Sequence, residues 1–185
     1  MKAVRWQVAP SAILLFALLY FFDRTGVVSA LLPAALVHEL GHVAALSLCG
    51  APIRQVQLNL SGVELAYAGM LRRDKALWCL SAGPAAGLLF SLAACRLGTP
   101  FWRLSGAVSF CLSIFNLLPV LPLDGGRILC ELTGERFTAG VSQAAAAAML
   151  LAGGALLVLR RTPFPLAMGL WLYACQLPAA PQRGI

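Results

Sequence analysis

Apolar residues run along this chain in long, nearly unbroken stretches separated by short polar intervals, not in the 3.6-residue stripe of a helix around a soluble core. The pattern predicts six membrane-crossing helices, over about 8–22, 27–49, 76–97, 104–118, 141–159 and 164–177. The second has 23 residues, and at about 1.5 Å per residue it reaches about 35 Å, enough for a hydrocarbon core of ~30 Å. Pro33 is placed to kink it, and Gly50-Ala51-Pro52 ends it. The first segment follows Lys2 and Arg5. A signal peptide cut near Val28-Ser29-Ala30 is the competing reading, but Asp23 and Arg24 intervene and cleavage would leave the next helix little length. An uncleaved helix is expected.

One stretch breaks the pattern. Over about 53–68, Ile53, Val56, Leu58 and Leu60 alternate with polar residues before Ser61-Gly62, and Val63, Leu65 and Tyr67 follow. This predicts a short β-hairpin, at the interface or in a protein-lined cavity because lipid tolerates no open sheet edge. A free edge would accept an extended peptide by strand addition; a plain surface hairpin is the alternative. After the fourth segment, Pro119 and Pro122 bar helix continuation and Gly125-Gly126 permits a turn, so Asp124 is expected on an irregular segment able to reach another helix. The fifth and sixth segments, separated by Arg160 and Arg161, carry no buried charge and read as scaffold. No repeat is visible, and after Pro178 only a short tail follows, so residues 1–185 are expected to form a single domain.

Composition agrees. Hydrophobic residues make up 60 % and charged residues 11 %, with mean hydropathy +0.83, against about 25 % charged in soluble domains. The expected class is an all-α polytopic membrane protein with a small membrane-associated hairpin after the second helix. The formal charge of +7 is scattered among apolar segments with no aromatic-interleaved basic face, which argues against nucleic acid as a partner. With six segments both termini share a side. Lys2, Arg5, Arg54, Arg72, Arg73, Lys75, Arg127, Arg136 and Arg183 fall there, against Arg24, Arg96, Arg103, Arg160 and Arg161 opposite. That excess places both termini in the cytoplasm of a bacterial-type membrane. The six cysteines lie singly, with no C-x-x-C pair, and read as small buried hydrophobes.

Against this background His38-Glu39-Leu40-Gly41-His42 stands out. The H-E-x-x-H spacing sets two imidazoles one turn apart on one helix face, as a metal requires, and sets Glu39 beside the first to hold the water a metal would activate. His38 and His42 are the only histidines in the chain. Ionisable groups at membrane depth are costly and mark functional sites. A satisfied polar pair in a helix interface is the bland alternative. For Asp124 a cap or turn role competes with metal ligation; a two-histidine site still lacking a third ligand favours the metal. The charge count brings all three to the cytoplasmic half of the membrane.

These residues resemble the site-2 protease-like intramembrane zinc metalloproteases (peptidase M50-like). The resemblance rests on His38-Glu39-Leu40-Gly41-His42, on Ala82-Gly83-Pro84 and on the stretch from Asn116 to Arg127, and covers roughly residues 30–130. The compact layout without an inserted PDZ domain is most similar to the stage IV sporulation protease branch. Members of that branch often carry a C-terminal CBS domain, which is not expected here. The resemblance implies one zinc ion held by His38, His42 and Asp124, Glu39 as catalytic acid/base, and Asn116 as a substrate-contacting or transition-state residue. It implies cleavage of a membrane-embedded or membrane-associated protein, such as a pro-sigma or anti-sigma factor. The expected partners are that substrate, the lipid bilayer and membrane regulatory or inhibitory subunits. The rival reading is a non-catalytic metal-binding or client-binding membrane protein, for which an intact Glu39 has no use.

Overall fold

A computed structural model describes residues 4–59, 62–69 and 71–176. The chain divides into two compact units, the first ending at Leu117 and the second beginning at Leu118. In the first, β1 (Arg5–Val8) leads into α1 (Pro10–Phe22) and α2 (Val27–Leu48). Strands β2 (Ile53–Asn59) and β3 (Gly62–Tyr67), then α3 (Arg73–Arg96) and α4 (Pro100–Asn116), complete it. The second unit holds α5 (Asp124–Thr133), α6 (Glu135–Arg160) and α7 (Phe164–Gln176).

In the first unit α2, α3 and α4 pack mutually, and what they bury is small. Ala30, Ala34, Ala94, Ser105, Ser109 and Ser113 are fully buried, whereas Phe21, Leu48 and Leu89 stand outward. The second unit repeats this: Thr138, Ser142 and Ala146 on α6 are buried, and Leu151, Val158 and Leu159 face out. A soluble domain does the reverse. Helices surrounded by lipid gain nothing by hiding leucine, so small residues that let backbones approach take the contacts. The Ser109 hydroxyl donates to the Gly87 carbonyl at 2.8 Å across the α3–α4 contact. Less than a third of the apolar stretch of α2, α3 or α6 is buried within protein.

Among the described residues three helices, α2, α3 and α6, are long and apolar enough to cross a membrane. Three of the six expected spans are shorter: α1 and α7 have 13 residues each and α4 has 17. At about 1.5 Å per residue, 13 residues cover about 20 Å. Pro10 opens α1 and Pro100 opens α4, which sets where those helices begin. The sixth predicted segment also included Leu177, outside the described residues. Conversely, α6 begins at Glu135, six residues before the apolar run expected from 141, because the polar Glu135–Gly140 stretch is helical too.

The predicted hairpin is present over the described residues, with β2 and β3 antiparallel and Val56 opposite Leu65; of its expected Ser61-Gly62 turn, Ser61 lies outside them and Gly62 begins β3. It is one part of a three-stranded sheet of order β1-β2-β3. Strand β1 pairs parallel with β2, Arg5 opposite Gln55 and Val8 opposite Leu58. The outer edge of β2 is therefore covered, and β3 and β1 are the edges. Four residues pairing with a strand some fifty positions away leave little local signal.

The turn between α1 and α2 is tied by Asp23. Its carboxylate accepts from the Thr25 hydroxyl at 2.7 Å, the Thr25 amide at 2.9 Å and the Val28 amide at 2.7 Å, the last a donor in the first turn of α2. The Thr25 hydroxyl first, and then the Val28 amide, hold Asp23 down at about 2 against an ordinary 3.8. A lowered folded value means this tether is at full strength above 3.8 and is lost as pH falls through about 2. The hydrogen-exchange protection factor of the Val28 amide should follow that profile, and Asp23→Ala should lower it at neutral pH. Equal protection in both proteins would remove Asp23 as the tether.

Candidate metal centre

Helix α2 delivers the two histidines as the spacing predicts. His38 is 4 % exposed and His42 half-buried. Their rings meet edge to face with centroids 4.9 Å apart, and their Nε2 atoms are 3.2 Å apart. Nδ1 of His42 lies 2.8 Å from the Cys79 carbonyl on α3. A carbonyl only accepts, so Nδ1 carries the proton and Nε2 presents its lone pair toward His38. An imidazole oriented by a backbone carbonyl through its far nitrogen is how a metal-binding histidine is held.

The spacing tests whether zinc fits. With Zn–N of about 2.0–2.1 Å and tetrahedral angles, two ligand nitrogens on one ion sit about 3.3 Å apart. The observed 3.2 Å matches that edge. The ring position depends on α3 having no side chain at one point, since a Cβ on Gly83 would collide with the His42 imidazole. Gly41 does the converse from α2, lying against the Ala82 carbonyl and the Ala86 methyl. The Ala82-Gly83-Pro84 motif is packing, as its composition suggests, but what it packs is a candidate ligand. Glu39 follows His38 on α2 and is half-buried. Asn116 is the last residue of α4, and its amide Nδ2 donates to the Leu112 carbonyl at 3.0 Å, which ties the side chain back to its own helix.

In the second unit Asp124 is 8 % exposed. The expectation of an irregular segment is corrected here: Asp124 is the first residue of α5 with Leu123 as N-cap, and the irregular stretch ends just before it. The reason is that two prolines end one helix but leave the next free to start once the backbone has turned. A carboxylate in a first helical turn is also favoured by the helix dipole. The turn is fixed by Leu123 N–H donating to the Val120 carbonyl at 2.9 Å and Leu121 N–H donating to the Ser142 hydroxyl of α6 at 2.9 Å. A Cβ on Gly126 would collide with the Val120–Leu121 backbone, so glycine lets α5 begin this close to its own lead-in. His38 and His42 in the first unit and Asp124 in the second each carry a donor atom of the kind a metal ion takes.

Sequence reasoning passed over the Cys79 carbonyl, the role of Gly83 and the Ser142 anchor. Gly83 stood in a quoted motif; a lone serine some twenty residues from the turn carried no signal. The cysteine reading also needs correction. Cys95, Cys111 and Cys175 are exposed, and Cys49 and Cys79 are not solitary but neighbours. An exposed apolar helix face accepts a thiol as readily as a methyl group, so burial is not required of it.

With this geometry in hand, comparison with known proteins is informative. The model of peptidase family M50 matches residues 95–160. Rip3 of Mycobacterium tuberculosis, named provisionally as a zinc metalloprotease, is 34 % identical over 149 aligned residues, covering 70 % of this chain and 37 % of Rip3. The Synechocystis protein sll0528, named in the same terms, is 33 % identical over 119, covering 56 % and 31 %. The chain thus spans about a third of the length of the curated relatives it matches. The site-2 protease of Methanocaldococcus jannaschii has the same fold, with TM-score 0.71 over 95 % of this chain and 91 % of that one, at 22 % identity. Over residues 95–160 the chain is thus similar to peptidase family M50, and its likeness to the solved site-2 protease is one of fold.

Gly83→Ala should push the His42 ring from its place and weaken zinc binding by about ten- to a hundred-fold, the usual cost of disturbing a ligand's support. Gly140→Ala, where a Cβ meets nothing within 4 Å, is the control. Zinc retained by each protein against a graded chelator measures this, and equal retention would sever Gly83 from the site.

Proposed function

We propose that this chain is the catalytic domain of a zinc-dependent intramembrane endopeptidase, with His38, His42 and Asp124 as the ligands of one zinc ion. The observation that carries the reading is the 3.2 Å approach of the two Nε2 atoms, with the His42 tautomer fixed by Cys79. Two histidines and one carboxylate leave a fourth position open, the mark of a catalytic rather than a structural zinc. When bound, zinc supplies a Lewis acid for the scissile carbonyl and an acidified water.

The remaining work falls to side chains. Glu39 takes the proton of the attacking water at its carboxylate and returns it to the leaving amine. Asn116 uses its remaining amide N–H and its carbonyl oxygen to hold the substrate backbone, once one N–H is assigned to Leu112. A substrate helix hides its peptide bonds in its own hydrogen bonds and must be extended before cleavage. The β3 edge, opposite the one β1 covers, offers a strand partner for that extended form. The substrate is a membrane-embedded or membrane-associated protein. By resemblance to the sporulation branch, a pro-sigma or anti-sigma factor is the first to test. All six apolar segments lie in the membrane, α1, α4 and α7 as well as α2, α3 and α6. The excess of Lys and Arg puts both termini in the cytoplasm.

Glu39→Gln should lower cleavage of a co-purified membrane substrate by about a hundred- to ten-thousand-fold, the range of general acid/base catalysis, with zinc content unchanged. Full cleavage by this variant would overturn the role of Glu39 as the base. Asp124→Ala should lower the zinc content found by elemental analysis; an unchanged content would remove Asp124 from the ligand set.

A further inference from the structure

The thiols of Cys49 and Cys79 lie 3.7 Å apart, sulfur to sulfur, in a chain whose described cysteines are all free. Thirty residues separate them, and the meeting is made by the packing of α2 on α3. Cys49 is the C-cap of α2 and Cys79 sits in the second turn of α3. The two differ in access. Cys79 is buried. Cys49 is half-buried and lines a cavity of about 210 Å³ with Gly50, Ala68, Leu71, Arg72 and Lys75, and the Lys75 ammonium donates to the Cys49 carbonyl at 3.4 Å. One thiol is therefore reachable through a basic cavity, with the second held directly behind it. That is the arrangement of a reacting and a resolving cysteine.

We propose that Cys49 and Cys79 form a peroxide-sensitive dithiol site whose oxidation loosens the metal centre through the Cys79 carbonyl. Hydrogen peroxide transfers one oxygen to the Cys49 sulfur, giving a sulfenic acid and releasing one water. The Cys79 sulfur attacks that sulfur, the S–O bond breaks, and the hydroxyl leaves with the Cys79 proton as a second water. Two thiols lose two electrons and two protons to one peroxide, and the S–S bond forms. A disulfide requires the sulfurs at about 2.05 Å, so the bridge draws the end of α2 and the second turn of α3 together. That turn carries the carbonyl that receives His42 Nδ1–H at 2.8 Å. A compartment that keeps thiols reduced makes such a pair a transient sensor rather than a permanent staple.

The bridge itself stands apart from the zinc reading; its effect on the metal rests on it. The test uses the full zinc-loaded chain in detergent micelles, titrated with hydrogen peroxide, quenched by alkylation and mapped by peptide mass spectrometry. A Cys49–Cys79 linked peptide should appear while Cys95, Cys111 and Cys175 still alkylate. Chelator competition should show zinc held about ten- to a hundred-fold more weakly, restored by a thiol reductant. Cys49→Ser should keep basal cleavage and zinc affinity and lose the response to peroxide. Absence of the linked peptide, or indiscriminate oxidation of all six cysteines, overturns the dithiol site. A linked peptide with unchanged zinc affinity overturns the coupling. A bridged chain that held no zinc even when reduced would overturn the metal reading, and the coupling with it, while leaving the bridge standing.

Discussion

An imidazole carried into an apolar layer has two nitrogens, and only one can face a metal. The other needs a partner from the protein, because water is not freely available there. In this chain the requirement is met at His42 by the carbonyl of Cys79, and much of the first unit follows from it. The carbonyl is within reach only because α3 lies against α2 closely enough for Gly83 to sit beside the ring and Gly41 beside Ala82. That closeness needs small residues along the contact, which is what these helices bury. The candidate ligand and the packing motif are one constraint seen from two helices.

The inverted distribution of side chains is the wider expression of the same physics. Leucine and phenylalanine cover the outside, and alanine, serine, threonine and glycine make the contacts. Close backbone approach replaces the hydrophobic effect as the source of cohesion, aided by hydroxyl-to-carbonyl bonds such as Ser109 to Gly87. Such an interior has little slack. A displacement at the end of α2 reaches the second turn of α3 directly, where the Cys79 carbonyl meets His42.

In the second unit the economy differs. Asp124 is set by a turn that two prolines force and the Ser142 hydroxyl anchors, and the helix that follows gives its carboxylate a favourable electrostatic position. Rigid backbone ahead of the residue and a helix behind it fix a short side chain more narrowly than a flexible loop would.

Much of this was written in the sequence. The apolar runs announced helices, three of them long and apolar enough to cross a membrane among the described residues, the H-E-x-x-H spacing put His38 and His42 on one face, and the Pro-rich stretch marked a break before Asp124. These are local properties: helix periodicity and proline geometry act within a few residues, so a linear reading can recover them. What lay beyond such a reading was every contact between segments distant in the chain. Strand β1 pairs with a partner some fifty residues on, Cys79 supplies a backbone atom that any residue could have supplied, and Cys49 meets Cys79 across two helices. Helix lengths also shifted, because where a helix stops depends on caps and neighbours as much as on hydropathy. The sequence by itself determined how the candidate donor atoms of His38 and His42 are spaced along one helix, since that spacing is local. Only the tertiary structure decided how the His42 donor is oriented and supported and which thiols meet, since those depend on backbone and side-chain atoms brought together from separate elements.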